Sequence, residues 1–447
     1  MKVALVHDYL NEYGGAERVL EALSEIFPKA PIYTAFVRKD SSAYKRFKSK
    51  KIITSWAQNV PFFASRLHSP LRFLAPLIWN SLDFSEYDVV ITSASWYVTK
   101  GVGKRSGLSS DETGAKGQTL DKLSFTEVSD GKPIEICYCH TPPRYLYGYT
   151  TATNINRNFL IKVYALIVNH FMRVYDFEAA QRVDYFIANS REVAARIKKF
   201  YRRESTVIYP PVDTSAYSKN KRIASSKGKS LNANSYFLVV SRLVASKNVD
   251  VVVEVCTKLG LPLKVVGAGR EMANFKKLVG KFIPKKNVIL SDSEGSRDSS
   301  ASPQNDSHST VEFLGDVNDE ELISLYQNCR AVIFAASQED FGLVPVEAMA
   351  AGKPVIVNAE GGVLESVVDA IPAGKGKGTG VYFELARNKP SYFDPPTAGS
   401  LTLAINNFVD LEKKGYFNAN FIRFHAQKFS KERFKKEILK FMGSKVR

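Results

Sequence analysis

Short apolar runs alternate with amphipathic stretches along most of this chain. Val3–His7 reads as a buried strand, residues 11–15 as a glycine loop, and residues 16–26 as a helix apolar on one face. Strand, glycine turn and helix form the opening unit of a doubly wound α/β domain. Further strands are predicted at residues 88–92, Ile134–Cys139 and Tyr185–Ala188, with one long helix over 155–182. The style then repeats. Strands predicted at 236–240, Leu263–Val266, 311–314, 331–335 and 354–357 alternate with helical patterns, which argues for a second parallel sheet. A basic amphipathic helix is predicted over 430–442.

The run Tyr209-Pro210-Pro211-Val212-Asp213 separates the halves, because paired prolines stop regular structure and stiffen a connection. The expected organisation is an N-terminal domain over 1–208, a C-terminal domain over 209–425, and a helix over 426–447 able to cross back to the first domain. Residues 103–132, 218–235 and 291–310 are strongly polar. They hold too little apolar area to offset their ordering entropy, and they read as solvated insertions.

Composition changes this picture in three ways. A chain of 447 residues exceeds one compact core, in keeping with two domains. The net charge of +17 favours anionic partners: nucleotide phosphates, acidic lipids or nucleic acid. Residues 1–208 hold 29 Lys and Arg against 20 Asp and Glu, about half of the surplus, so charge alone names no binding face. Cys137, Cys139, Cys256 and Cys329 include no C-x-x-C pair, and free buried thiols in a reducing compartment are expected. The longest apolar stretch, 160–172, is broken by Lys162, Asn169 and His170, short of the ~18 residues that span a bilayer. No signal-peptide pattern precedes the first strand. A cytoplasmic location is therefore expected, with peripheral contact on the inner face of the plasma membrane as an option.

The strongest local signal is Glu339-Asp340-Phe341-Gly342-Leu343-Val344-Pro345-Val346-Glu347, followed by Gly352-Lys353-Pro354. Gly342 and Pro345 mark a helix start, since proline fits the first turn, where its missing N–H costs nothing. Glu339 then lies on the loop above the carboxyl edge of the sheet, and Glu347 in the first turns of the helix. Ligands bind at that edge in open α/β sheets. The N–H groups of Gly342, Leu343 and Val344 would face an anion, and Glu347 could accept from a ribose diol.

This segment resembles the E-x7-E signature of retaining glycosyltransferases of family 4, which have the GT-B fold of two Rossmann-like doubly wound domains facing across a cleft. Ser241-Arg242-Leu243-Val244-Ala245-Ser246-Lys247-Asn248 is similar to the stretch whose Arg and Lys hold the donor diphosphate, with Ser241 and Asn248 where glycines are common. The resemblance thus implies that Arg242 and Lys247 bind and activate the leaving diphosphate. Phe313-Leu314-Gly315-Asp316-Val317 resembles the turn beside the nucleotide base, which implicates Val317. Gly14-Gly15-Ala16-Glu17 resembles the N-terminal glycine loop that approaches the donor phosphates. His140-Thr141-Pro142-Pro143-Arg144, like the opening His7-Asp8-Tyr9-Leu10, is similar to a subgroup typified by bacterial O-antigen mannosyltransferases. The resemblance sets His140 near the reacting carbon and Arg144 toward donor or acceptor. Glu339 would hold hydroxyls of the transferred sugar. Gly361-Gly362 could offer amides to the ligand or form an ordinary turn.

The resemblance implies transfer of a hexose, mannose from GDP-mannose, to a glycan or lipid-linked saccharide, with no cofactor and no metal requirement. Aromatics over residues 56–84, with Arg66, His68 and Arg72, are expected either to dock on an anionic membrane or to form ordinary core. Two other readings stand beside transfer: a nucleotide-sugar epimerase of the same fold, and a basic nucleic-acid-binding protein. The glycine loop and the His140–Arg144 string favour transfer over the first. The lack of a zinc-finger spacing, an RNP-like string or a concentrated basic stripe disfavours the second.

Overall fold

The computed structural model describes residues 1–103, 133–149, 159–218, 236–282, 311–385 and 398–446. The polar insertions at 104–132, 219–235 and 291–310 lie outside the described residues.

Two parallel sheets organise the chain. The first contains β1 (Val3–His7), β2 (Ile32–Thr34), β3 (Ile52–Thr54), β4 (Val89–Ala94), β5 (Ile134–Cys139), β6 (Tyr185–Ala188) and β7 (Ser205–Val207), in the order β3-β2-β1-β4-β5-β6-β7. The second contains β8 (Phe237–Val240), β9 (Leu263–Val266), β10 (Val311–Gly315), β11 (Ala331–Phe334), β12 (Val355–Asn358) and β13 (Gly380–Phe383), in the order β10-β9-β8-β11-β12-β13. Each sheet reverses its winding once, between β1 and β4 and between β8 and β11. These are the switch points at which doubly wound sheets open a crevice.

The strands read as unbroken apolar runs because both faces are covered. Along β1, Val3 and Leu5 enter one core while Ala4 and Val6 enter the core on the opposite face, as the two-residue period of a strand requires. Along β11, Ala331 and Ile333 divide from Val332 and Phe334 in the same way. All four cysteines are buried free thiols.

Sequence patterning missed β2, β3, β7 and β13. Three of these are three-residue strands, too short to show a period, and β13 begins on a glycine.

Helix α1 (Gly15–Ile26) follows β1, and α2 (Phe159–Arg182) precedes β6. The inner face of α2 buries Ala165, Val168, Met172 and Asp176, and Asp176 forms a buried ion pair with Lys100. Helix α3 (Leu343–Ala350) follows β11. Helix α4 (Lys431–Lys445), capped by Ser430, inserts Phe434, Ile438, Phe441 and Met442 into the core that holds Val3, Leu5, Leu20 and Leu23. The chain therefore crosses between the domains twice. The two crossing segments pair at Val212 and Ser430, where the Val212 N–H donates to the Phe429 carbonyl at 2.9 Å.

Of the aromatics between residues 56 and 84, Phe63, Trp79 and Phe84 are core residues, whereas Trp56, Phe62 and Phe73 are exposed.

Candidate functional site

The switch points of the two sheets face each other, and the loops leaving β1, β4, β5, β8 and β11 supply the polar groups between them. Asp8, directly after β1, shapes the first side. Its Oδ2 accepts from the backbone N–H groups of Ser95 at 3.1 Å, Trp96 at 2.6 Å and Tyr97 at 3.2 Å, which folds the loop after β4 over the sheet edge. Thr99 also donates to this carboxylate.

His140 directly follows β5 at the same edge and is 8% exposed. It does not stand alone. His140 Nε2 lies 2.8 Å from Ser93 Oγ, Ser93 Oγ lies 3.0 Å from His7 Nδ1, and His7 Nε2 lies 3.2 Å from Glu17 Oε1. The second oxygen of Glu17 accepts from the Gly14 N–H at 2.8 Å. The glycine loop and His140 are thus joined by one hydrogen-bond chain. Ser93 has one hydroxyl proton to donate, so the tautomers of His7 and His140 are coupled through it. Gly15 sits against the other domain: a Cβ there would come 3.0 Å from Leu343 Cδ1.

Burial, and next the neighbouring His7, push the His140 pKa from 6.5 down to about 4. The ring is neutral at physiological pH. The unfolded chain takes up this proton near pH 6.5, and the folded protein only near pH 4. Stability from this group is therefore complete above pH 6.5 and lost as pH falls through that window, at about 1.4 kcal/mol per unit. Replacing His140 with glutamine should make the urea unfolding free energy less sensitive to acidification, by about 2 kcal/mol between roughly pH 7 and pH 4.5. Equal sensitivity in parent and variant would exclude this assignment.

On the second side, the loops after β8 and β11 are tied together. Asn248 Nδ2 donates to the Ala335 carbonyl at 2.8 Å and to Ser337 Oγ at 2.9 Å. Asn248 has φ +49°, a left-handed conformation that asparagine tolerates better than other residues with a Cβ, which accounts for its place where the resembled motif carries glycine. This tie brings Lys247 Nζ to 2.5 Å from Glu339 Oε2, with both side chains 18% exposed. Gly361 and Gly362 support the Glu339 loop from behind: Gly361 bridges to Glu339, and the Gly362 N–H donates to the Glu339 carbonyl at 2.8 Å. That turn is occupied in holding the loop. Gly342 precedes α3 at φ +87°, and a Cβ there would lie 2.7 Å from Val363 Cγ1, so only glycine fits. Leu343 and Val344 are the first two residues of α3, and Pro345 is the third.

Ion pairs join the two sides. Arg144 Nη2 lies 2.8 Å from Asp340 Oδ1 and donates to the Gln338 carbonyl at 2.7 Å. Arg196 Nη1 lies 2.5 Å from the same Asp340 oxygen. Burial alone would raise the Asp340 pKa, but Arg144 and Arg196 outweigh it and hold the carboxylate below its ordinary range. Arg242 Nη1 meets Glu12 Oε1 at 2.9 Å, with both side chains more than half exposed. Glu347 is buried, accepts from the Tyr326 hydroxyl at 2.7 Å, and forms an ion pair with Arg18 of α1.

The named candidates divide accordingly. Lys247, Glu339 and the α3 amino end form one group, while His140, Arg144, Gly14 and Gly15 face them from the first domain. Arg242 and Glu347 both reach the first domain, but through Glu12 and Arg18. Val317 stands apart, half-buried beyond the edge strand β10. Patterning had assigned no role to His7, Ser93, Glu17, Arg18, Arg196 or Asp340. His7, Glu17 and Asp340 lay inside the quoted motifs; the partners of Glu17, His7 and Gly14, are near it in the chain, whereas those of Asp340 are distant in sequence.

Comparison with known proteins gives this geometry a family context. Residues 304–384 match the model of glycosyl transferases group 1. The chain is 26% identical over 191 residues to the glycosyltransferase MJ1178 of Methanocaldococcus jannaschii, covering 43% of this chain and 44% of that protein. It is 24% identical over 278 residues to the alpha-1,3/1,6-mannosyltransferase ALG2 of Dictyostelium discoideum, covering 57% of this chain and 62% of that one. The matched region spans less than two thirds of either relative. Among solved structures, HepE of Anabaena in complex with UDP-glucose superposes with a TM-score of 0.60 at 17% identity, over 99% of this chain and 100% of that one. The fold is therefore GT-B, and the segment 304–384, which carries Glu339 and Glu347, is the part that matches glycosyl transferases group 1.

Proposed function

We propose that this protein is a retaining hexosyltransferase that moves mannose from GDP-mannose onto a glycan or lipid-linked saccharide. The observation that carries this reading is the Lys247–Glu339 pair beside the amino end of α3, opposite His140 and the Gly14-Gly15 loop. A cation and helix amides there would take up the charge that grows on a departing diphosphate. Lys247 and Arg242 serve as those cations, so turnover needs no metal. Glu339 turns from Lys247 to the sugar hydroxyls when the donor enters. The acceptor oxygen bonds to the anomeric carbon on the face from which the diphosphate leaves, and its proton passes to the departing phosphate oxygen. His140, held neutral and oriented by Ser93, His7 and Glu17, hydrogen-bonds the sugar beside that carbon. Donor entry requires Arg18 to yield the Glu347 carboxylate to the ribose diol.

Mannose is supported by the resemblance of the His140–Arg144 string and by ALG2, whose name states a mannosyltransferase activity. HepE was solved with UDP-glucose, which makes UDP-sugars the necessary comparison. The test is a donor screen with GDP-mannose, GDP-fucose, UDP-glucose, UDP-galactose and ADP-glucose, with released nucleoside diphosphate and sugar transfer measured together. GDP release coupled to mannose transfer, with the α-anomer retained, is expected. Turnover of UDP-sugars alone would overturn the donor assignment. Sugar isomerisation without transfer would favour the epimerase.

A further inference from the structure

Helix α2 carries a broad apolar face that is exposed in the described structure. Phe159, Leu160, Ile161, Val163, Leu166, Ile167, Phe171 and Val174 are 38–76% exposed, while Ala165, Val168 and Met172 on the opposite side are buried. At about 100° per residue, all of the exposed set but Ile161 spreads over roughly 140° of the circumference, wider than the stripe with which a helix packs on one neighbour. Length explains the exposure. The 24 residues of α2 extend about 36 Å, whereas the four to six residues of β5 and β6 extend about 13–20 Å. The helix runs antiparallel to these strands and ends at Arg182, near the amino end of β6. Its surplus turns therefore project beyond the carboxyl edge of the sheet, the edge that bears His140.

The neighbouring segment adds to this face. Arg72 donates to Asn169 Oδ1 at 2.8 Å and Tyr164 donates to the Pro70 carbonyl, so the turn before Phe73 and Leu77 packs on α2. Phe73 is 42% and Leu77 60% exposed. The charge is one-sided: residues 41–82 and 136–175 contain no Asp or Glu, while Lys162, Arg173 and Arg66 stand exposed among them.

We propose that this face is a docking surface for an anionic lipid bilayer, with the amino-terminal turns of α2 immersed among the headgroups and upper acyl chains. An apolar tip rimmed by cations is the pattern of an interfacial helix. A second copy of the chain fits less well, because two-fold self-association would set the same basic rim against itself with no acid to pair it. No helix among the described residues is long and apolar enough to cross the membrane, in keeping with a helix that lies at the interface. The proposal rests on the lipid-linked acceptor suggested above, because docking through α2 holds the cleft mouth at the bilayer surface.

The experiment compares the full chain with a triple variant, Leu160→Gln/Ile167→Gln/Phe171→Gln. All three side chains are exposed, so the fold should survive, and unchanged circular dichroism confirms this. Both proteins are floated with vesicles of phosphatidylcholine alone and of phosphatidylcholine with phosphatidylglycerol. The parent should bind the anionic vesicles at least about tenfold better than the neutral ones, and the variant should lose about tenfold or more of that binding. GDP release with a water-soluble acceptor should be the same in both proteins, which separates this test from that of the transferase reading. Lack of vesicle binding by the parent, or equal binding by the variant, would refute the proposal. So would a parent dimer that the variant turns into monomer, since the face would then be a protein interface.

Discussion

Replacing Lys247 with methionine should lower kcat for sugar transfer by about 10²–10³, with a much smaller change in donor KM. Methionine retains the length and apolar stem of the side chain and removes only the charge. In the structure that charge is neutralised by Glu339 at 2.5 Å. With donor bound, the same ammonium would face a phosphate whose charge increases as the glycosidic bond breaks. The interaction is then worth more in the transition state than in the ground state, and the loss falls on kcat. The variant also leaves Glu339 without its cation, so stability needs its own control. Lys247→Met/Glu339→Gln should recover the midpoint of thermal unfolding without recovering turnover. An unchanged kcat in Lys247→Met would remove the charge-stabilisation argument.

Replacing Asp340 with alanine should destabilise the contact between the domains by about 1.5–3 kcal/mol. Asp340 belongs to the second domain and binds two first-domain guanidiniums, Arg196 at 2.5 Å and Arg144 at 2.8 Å. Arg196 is 3% exposed at the side chain and would keep only Glu192, at 3.0 Å, so removing Asp340 leaves a cation shut away from water with one of its two carboxylates gone. Opening the domains is the cheapest way to hydrate it. The expected readouts are a lower thermal midpoint and a larger maximum dimension by small-angle scattering. Asp340→Asn should give a smaller effect, because its amide oxygen still accepts from one arginine. If Asp340→Ala leaves both the midpoint and the dimension unchanged, the clamp is not what holds the domains together.

Much of the fold could be read from apolar patterning. β1, β5, β6 and β9 lie where the pattern sets them, and the other predicted strands differ by only one or two residues at their ends. The strands that escaped notice have little pattern to offer. Ile32–Thr34 and Ile52–Thr54 pair with each other toward one edge of the first sheet, and three residues apiece are too few to show a period. The candidate site was legible where its chemistry is local. Glu339 and Gly342 are close in sequence, and a loop and helix start place them without help. Asp340–Arg196 and Ser93–His140 instead depend on which loops the topology brings together, and no spacing along one chain reveals that. Asn248 shows the reverse case: an apparent departure from motif becomes intelligible once its positive φ is known.

The placement of α4 bears on how the molecule is made. Phe434, Ile438, Phe441 and Met442 complete the core around Val3, Leu5 and Leu20, although more than four hundred residues separate the two groups along the chain. During synthesis the first domain emerges with an apolar trough on one face of β1, and that trough stays open while the whole second domain is translated. The half of the protein that leaves the ribosome first is therefore sealed last, and it depends on its younger neighbour for the final piece of its interior.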